Sequence, residues 1–387
     1  MKLFQSSFGS VSLERIPKGD KSLQAWDAAD ELLLSYLYNE IQPSKDSFIA
    51  IFNDAFGTIS TSLKGFRRHN ISDSYLSHLA AKINFSNNSI DESDVGHYQV
   101  IKSTENLTHS YQIFLLKIPK SLAFLEEQLI KIKPLLTPSS ILLAAGMTRS
   151  IHKSTLELFE NIIGPTHTSL AKKKARLIFA ENNPEIFNPL EIARFYKKQQ
   201  ISTYKLEGMA LNLFNYPAVF SRTKLDIGTR FFLPLVANIA ENKTDILDLG
   251  CGNGALGLMA AVYNPEARVV FIDESYQAIE SAKLTITNWN VNNVNRFIFQ
   301  ANNILEGVAN NCFDLVVCNP PFHQDNTIGK QTAFLMFHQA KRVLQKGGLL
   351  LIVANRHLQY HHKLERLFGN CRLLDSNKKF VILQAQK

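Results

Sequence analysis

From residue 244 onward, short β-branched runs alternate with amphipathic stretches, which restricts the second half of the chain to a parallel sheet wrapped by helices. Asp245–Leu249, Arg268–Asp273, Arg296–Ala301, Asp314–Cys318 and Leu349–Ala354 read as strands. Ala255–Val262, Tyr276–Trp289 and Thr332–Gln345 read as helices between them, the last stopped by Gly347-Gly348. The end departs from this pattern. Cys371–Asp375 and Lys379–Gln384 are joined by Ser-Asn-Lys alone, too short for a crossover. The expectation is an α/β domain with a seven-stranded, mostly parallel sheet ending in an antiparallel hairpin.

The first half carries a faint echo of the second. Phe48–Ser60 (FIAIFNDAFGTIS) lies on Ile246–Leu258 (ILDLGCGNGALGL), with Gly57 on Gly254. Lys117-Ile118-Pro119-Lys120 falls on Cys318-Asn319-Pro320-Pro321, and Thr137–Gly146 on Gln345–Ala354. The separation widens gradually, as a duplication with small insertions produces, although any two α/β domains share strand patterns of this kind. The echo lacks the glycines, so the first domain is expected to be catalytically silent. Ala180–Ser202 mixes Asn-Asn-Pro, Asn-Pro and a basic run, which places the boundary near residue 200 and the domains at 1–200 and 201–387.

Composition narrows the partners. With 42 Lys and Arg against 34 Asp and Glu, the net charge is +8 and the pI about 9.1, which favours a polyanionic partner. The excess is local, at Lys172, Lys173, Lys174 and Arg176, then at Arg194, Lys197 and Lys198. No apolar run approaches the roughly 20 residues of a membrane-spanning helix. MKLFQSSFGS has no basic stretch feeding an apolar core and no small-residue cleavage site, so a cytoplasmic location is the expectation. Cys251, Cys312, Cys318 and Cys371 form no C-x-x-C pair, and His361-His362 has no partner at metal-ligand spacing. No metal is assigned.

The chemistry concentrates at two motifs. Asp248-Leu249-Gly250-Cys251-Gly252-Asn253-Gly254 follows a strand and opens a helix, at the carboxyl end of the strand where open α/β sheets bind nucleotide-like cofactors. Gly252-x-Gly254-x-x-Gly257 also fits a dinucleotide fingerprint, with Asp273 about 20 residues on as the ribose acceptor. Asp248 favours S-adenosylmethionine, because a carboxylate there suits a cationic amino-acid moiety and repels a pyrophosphate.

The second motif is Asn319-Pro320-Pro321-Phe322, directly after Phe313–Cys318. The prolines fix the backbone so that the Asn319 side-chain oxygen and the Pro320 carbonyl converge as two acceptors on a planar amine. Such acceptors favour a pyramidal nitrogen and stabilise the charge that develops as it attacks a methyl sulfonium. Phe322 stacks on the base and fixes the approach. Among supporting positions, Asp273 is expected at the ribose hydroxyls and Asn303, after the third strand, at the adenine edge. Phe220-Ser221-Arg222 and Asp226-Ile227-Gly228-Thr229 read either as a closure over the cofactor's methionine end or as an ordinary helix cap. His323, Arg356 and His357 fall on the same rim, as contacts for phosphate or base or as solvated loop residues.

DLGCGNG, Asp273 and NPPF, with FSRTKLDIGTRFF upstream, resemble the class I S-adenosylmethionine-dependent methyltransferases that modify guanine N2 in ribosomal RNA. That two-domain bacterial family pairs an inactive methyltransferase-like N-terminal half with an active C-terminal half, and the resemblance covers nearly the whole chain. LQAWDAADELLL, NDAFG, ISDSYLS, STLELFE, KKARL and IVANRHL are similar to the branch acting on guanine 1835 of large-subunit 23S rRNA. By motif, the resemblance implies Gly250, Gly252 and Gly254 at the cofactor loop, Asp273 at the ribose, Asn303 at the adenine and Asn319 to Phe322 at the amine. It departs at Asn302-Asn303, where many relatives have Asp, and at Glu181 to Gln200, which lies outside the shared pattern. The expected protein is a monomeric, cytoplasmic 23S rRNA methyltransferase. The competing readings are a 16S rRNA enzyme, a DNA adenine or protein glutamine N-methyltransferase, a nicotinamide-dependent oxidoreductase, and a non-enzymatic RNA-binding factor.

Overall fold

The structure, a computed structural model, describes residues 1–18, 22–90, 97–186, 201–206, 209, 211–289, 294–321 and 327–387. Phe322 and His323, and the basic Arg194, Lys197 and Lys198, lie outside the described residues. Packing divides the chain into two compact units, Met1–Gln200 and Ile201–Lys387.

The first unit opens with an antiparallel hairpin, Lys2–Ser6 against Gly9–Leu13, followed by helix α1 (Ala28–Tyr36). Its sheet contains β1 (Phe48–Phe52), β2 (Arg67–Ser72), β3 (Tyr98–Lys102), β4 (Ile113–Lys117), β5 (Ile141–Met147), β6 (Thr166–Thr168) and β7 (Ala175–Ala180). Their spatial order is β3-β2-β1-β4-β5-β7-β6. Helix α2 (Thr58–Ser62) follows β1.

The second unit repeats this plan. A hairpin, Ser202–Lys205 against Asn212–Asn215, precedes helix α3 (Ile227–Ala240). The sheet contains β8 (Asp245–Leu249), β9 (Arg268–Asp273), β10 (Phe297–Ala301), β11 (Phe313–Cys318), β12 (Leu344–Asn355), β13 (Arg372–Ser376) and β14 (Phe380–Gln386). Their order, β10-β9-β8-β11-β12-β14-β13, is that of the first unit strand for strand. In each sheet a single strand, β7 in the first and β14 in the second, runs antiparallel to the rest, inserted between β5 and β6 or between β12 and β13.

The second sheet reads as nearly continuous apolar runs because helices cover both faces. Ile246, Val317 and Val353 join Phe232 and Phe271 in one core, whereas Leu247, Leu249, Val316 and Ile352 join Phe337 and Leu364 in the other. Each fully buried aliphatic side chain contributes roughly 1.5 to 3 kcal/mol. Helices α4 (Ala255–Tyr263) and α5 (Tyr276–Trp289) connect the first three strands.

Two sequence expectations are corrected. Helix α6 spans Thr327–Val343, so Gly347-Gly348 does not stop it; the pair lies inside β12, where the pairing of β11 with β12 shifts register between Phe313 and Leu315. A Cβ on Gly348 would stand 3.1 Å from the Phe313 carbonyl, so only glycine passes there. The repeat also aligns differently at one point. Phe52 pairs with Leu116 in the first sheet and Leu249 with Cys318 in the second, so Lys117 corresponds to Asn319 rather than to Cys318.

Candidate functional site

The β8–α4 loop is built by glycines in the left-handed region: Gly250, Gly252 and Gly254 have φ of +72°, +53° and +80°. Gly254 is additionally required by space, since a Cβ there would stand 3.0 Å from the Ala282 Cβ on α5. Gly252 is the opposite case. A Cβ on it would meet nothing within 4 Å, so this side of the loop is open to a ligand.

Asp273, at the end of β9, holds the loop from below. Its Oδ2 accepts from the Gly252 N–H at 2.9 Å and its Oδ1 from the Ser275 N–H at 3.0 Å. Burial pushes its carboxyl up, against the pull of those N–H groups. Asp248 is fully buried beneath the loop, its Oδ2 accepting from the Gly257 N–H on α4 at 2.8 Å. Its Oδ1 has no partner among the described residues, and burial raises its carboxyl to about 8. At neutral pH this group is mostly protonated, so the geometry gives it the role of tying β8 to α4 more readily than that of a surface anion. Asn253 braces the loop from the side, donating to the Tyr204 hydroxyl at 3.0 Å and the Asn215 side-chain oxygen at 2.8 Å.

Beyond β10, Asn302 donates its backbone N–H to the Asp273 carbonyl at 2.9 Å and is buried. Asn303 stands one residue further out and is tied to Glu306 Oε2 at 3.1 Å. Asn302 is thus tied to Asp273, which holds the glycine loop, whereas the Asn303 side chain is tied to Glu306.

Asn319 follows β11, the central neighbour of β8. Its side-chain amide donates to Thr229 Oγ1 at 2.8 Å and to Asp226 Oδ2 at 3.2 Å. Asp226 is the N-cap of α3, accepting from the Thr229 N–H at 2.9 Å. With both amide protons engaged, Asn319 Oδ1 is left as a buried acceptor with no partner among the described residues. An orphaned buried carbonyl of this kind costs about 1 to 3 kcal/mol unless a donor arrives. Pro320 is buried and Pro321 exposed.

The alternative roles weighed for Asp226 to Thr229 therefore merge: an ordinary helix cap positions Asn319. Sequence reasoning missed this link because the partners lie about ninety residues apart, and it missed Asn355. At the end of β12, Asn355 carries a second buried side-chain oxygen without a partner among the described residues. No group of His, Cys, Asp and Glu suited to a metal occurs among the described residues, and none of their helices is long and apolar enough to cross a membrane.

The fit to S-adenosylmethionine rests on this geometry: an open glycine loop, an acidic side chain at the end of the adjacent strand, and an unpaired acceptor across the sheet edge. The description "RLMG N-terminal domain" matches residues 1–184 and "Methyltransferase small domain" matches residues 210–384. Fold and site together define a two-unit, S-adenosylmethionine-dependent methyltransferase. The chain is 43% identical over 381 residues to the Ribosomal RNA large subunit methyltransferase G of Yersinia enterocolitica serotype O:8 / biotype 1B, covering 98% of this chain and 92% of that protein. It belongs to the ribosomal RNA large subunit methyltransferase G family. The fold is also that of the solved T. thermophilus 16S rRNA N2 G1207 methyltransferase (RsmC) in complex with AdoMet and guanosine. That match has a TM-score of 0.75 at 19% identity, covering 100% of this chain and 97% of that one.

Proposed function

We propose that the second unit transfers a methyl group from S-adenosylmethionine to the exocyclic N2 amine of a guanine in 23S rRNA, at the position numbered 1835. One observation carries the amine reading: Asp226 and Thr229 hold both amide protons of Asn319, so only its oxygen faces a substrate donor. The 43% identity to a large-subunit enzyme along nearly the whole chain supports 23S over 16S rRNA.

In this reading Gly250, Gly252, Gly254 and Asp273 cradle the cofactor, Asp248 supports that cradle from within, and Asn303, with Asn302 beside it, borders the adenine. The bound cofactor supplies a methyl group on a sulfonium, electrophilic without metal assistance. Asn319 Oδ1 and the Pro320 carbonyl accept the two N2–H bonds, make the nitrogen lone pair available and stabilise its developing positive charge. The carbon–nitrogen bond forms as the methyl–sulfur bond breaks, and one N2 proton leaves to water. Phe322, by its place in the motif, stacks on the base. A base inside a helix does not reach these atoms, so the guanine is single-stranded or flipped, at a cost of a few kcal/mol when stacked.

The first unit positions RNA and performs no chemistry. At the places of Gly250 and Gly252 it has Asn53 and Ala55, and Asn53 donates to the Lys117 carbonyl at 2.8 Å and pairs with Gln128, closing its own loop. The protein acts as a monomer in the cytoplasm. The deciding experiment incubates it with labelled S-adenosylmethionine and separated, unmodified 23S and 16S rRNA, then digests the product to nucleosides. Label in N2-methylguanosine from 23S rRNA is the expected result; label only in 16S rRNA moves the target to the small subunit, and no labelled RNA sinks the reading.

A further inference from the structure

Asn319 and Asn355 share one face of the second sheet. Side chains alternate along a strand, and Val317 on β11 and Val353 on β12 both enter the core that contains Phe232 of α3. Two residues further along each strand, Asn319 and Asn355 therefore point to that same face. Phe380 stands opposite Asn355 in the β12–β14 ladder, and a Cβ on Gly228, in the first turn of α3, would lie 3.2 Å from the Phe380 ring. Asn355 thus lies at the carboxyl edge, one strand over from Asn319, on the side closed by the start of α3. Both present a buried side-chain oxygen without a partner among the described residues, and Asn355 makes no side-chain bond to cap the short helix that follows it.

Guanine presents three adjacent donor hydrogens on its Watson–Crick edge, one on N1 and two on N2. Adenine has an acceptor at N1. A row of acceptors is satisfied by the first edge and meets a lone pair in the second, and a buried acceptor left unpaired is penalised in full.

We infer that Asn355 is a specificity residue whose side-chain oxygen accepts the guanine N1–H while Asn319 and Pro320 accept the N2 protons. This assignment rests on the guanine-N2 reading above. It explains why β12 ends in a polar side chain whose oxygen has no partner among the described residues.

The test employs RNA oligonucleotides spanning the guanine mapped by the nucleoside digest, carrying either guanine or 2-aminopurine at that position. 2-Aminopurine keeps the 2-amine but has no N1–H. The full-length wild type is expected to prefer guanine by about 100-fold or more in kcat/KM, and Asn355→Ala to reduce that preference to under about tenfold. Cofactor affinity and Tm are expected to stay at wild-type values. Asn355→Asp, which keeps an acceptor in place, should retain most of the preference. Equal kcat/KM on both bases in the wild type overturns the assignment without reference to any variant, as does an unchanged preference in Asn355→Ala. Failure of the wild type to methylate guanine in any RNA overturns the function proposed above, and is told apart by that result alone.

Discussion

Lys117 and Asn319 occupy the same place in the two units, Lys117 as the last residue of β4 and Asn319 directly after β11, each bound to the first turn of the helix that precedes its sheet. Lys117 pairs with Asp27 Oδ1 at 2.7 Å and Asp30 Oδ1 at 2.8 Å; Asn319 bonds Asp226 and Thr229. Asp27 and Asp226 are the N-caps of α1 and α3, and Asp30 and Thr229 stand three residues later. One framework thus holds a closed ion cluster in the first unit and a neutral amide with an unused acceptor in the second.

The ion cluster is a stability element. Burial pushes Asp30 up to about 6, and the two carboxylates raise the Lys117 ammonium against its own burial. Lys117→Met strands two acidic groups and should cost about 3 to 5 kcal/mol in chemical denaturation. The double change Lys117→Asn with Asp30→Thr, copying the second unit, should recover most of that loss. Equal destabilisation of both variants would show that the charges themselves, rather than their balance, hold the turn.

In the proposed reaction, Asn319→Ala removes the acceptor at the reacting amine. The expected loss is about 100-fold or more in kcat with cofactor affinity within twofold of wild type. Equal losses in both would make the motif structural.

Thr229 acts through Asn319. Thr229→Val deletes the 2.8 Å hydroxyl contact and leaves the amide held by the longer Asp226 contact alone, so kcat should fall about tenfold while KM for RNA and cofactor affinity hold. Thr229→Ser should restore kcat. A shift in KM alone would place Thr229 in binding rather than in positioning.

Asp248 titrates with folding. Its folded pKa of about 8 lies above the ordinary carboxylate value, so between about pH 4 and 8 the folded state binds the extra proton. Its contribution is therefore fully present below about pH 4 and is lost as pH rises toward 8. Asp248→Asn keeps an acceptor for the Gly257 N–H without the charge. Its Tm should rise relative to wild type as pH goes from 5 to 8, with an upper bound of about 4 kcal/mol at pH 7. A constant difference across that range would assign the burial of Asp248 no pH-linked cost.

The alternation from residue 244 and the short link before Phe380 were legible because both follow from local constraint: side-chain period and turn length. The glycine loop was legible because positive φ has few sequence solutions. The Asn319 orientation was not, since a helix cap announces its own helix and gives no sign of a strand end about ninety residues away. Gly347-Gly348 misled for the same reason, because glycine marks a helix stop and a strand bulge alike and only the close passage of Phe313 distinguishes them. The one-residue slip at Lys117 arose from aligning prolines, whereas the ladder aligns Leu116 with Cys318.

The basic turn of the first unit supplies the last prediction. Lys172, Lys173 and Lys174 are exposed where the chain turns into β7, with Lys173 and Lys174 in the left-handed region, and Arg176 is exposed on the strand itself. Lys173 reaches Glu31 Oε2 at 2.7 Å, an exposed pair worth little and easily exchanged for a phosphate. Replacing all four with Gln should weaken RNA binding and lower the slope of log K against log salt by about 0.7 for each phosphate of single-stranded RNA that is no longer neutralised. Cofactor affinity should not change, because these residues and the glycine loop belong to different units. An unchanged salt slope would remove this turn from the RNA surface and leave the unit's positive charge without a partner there.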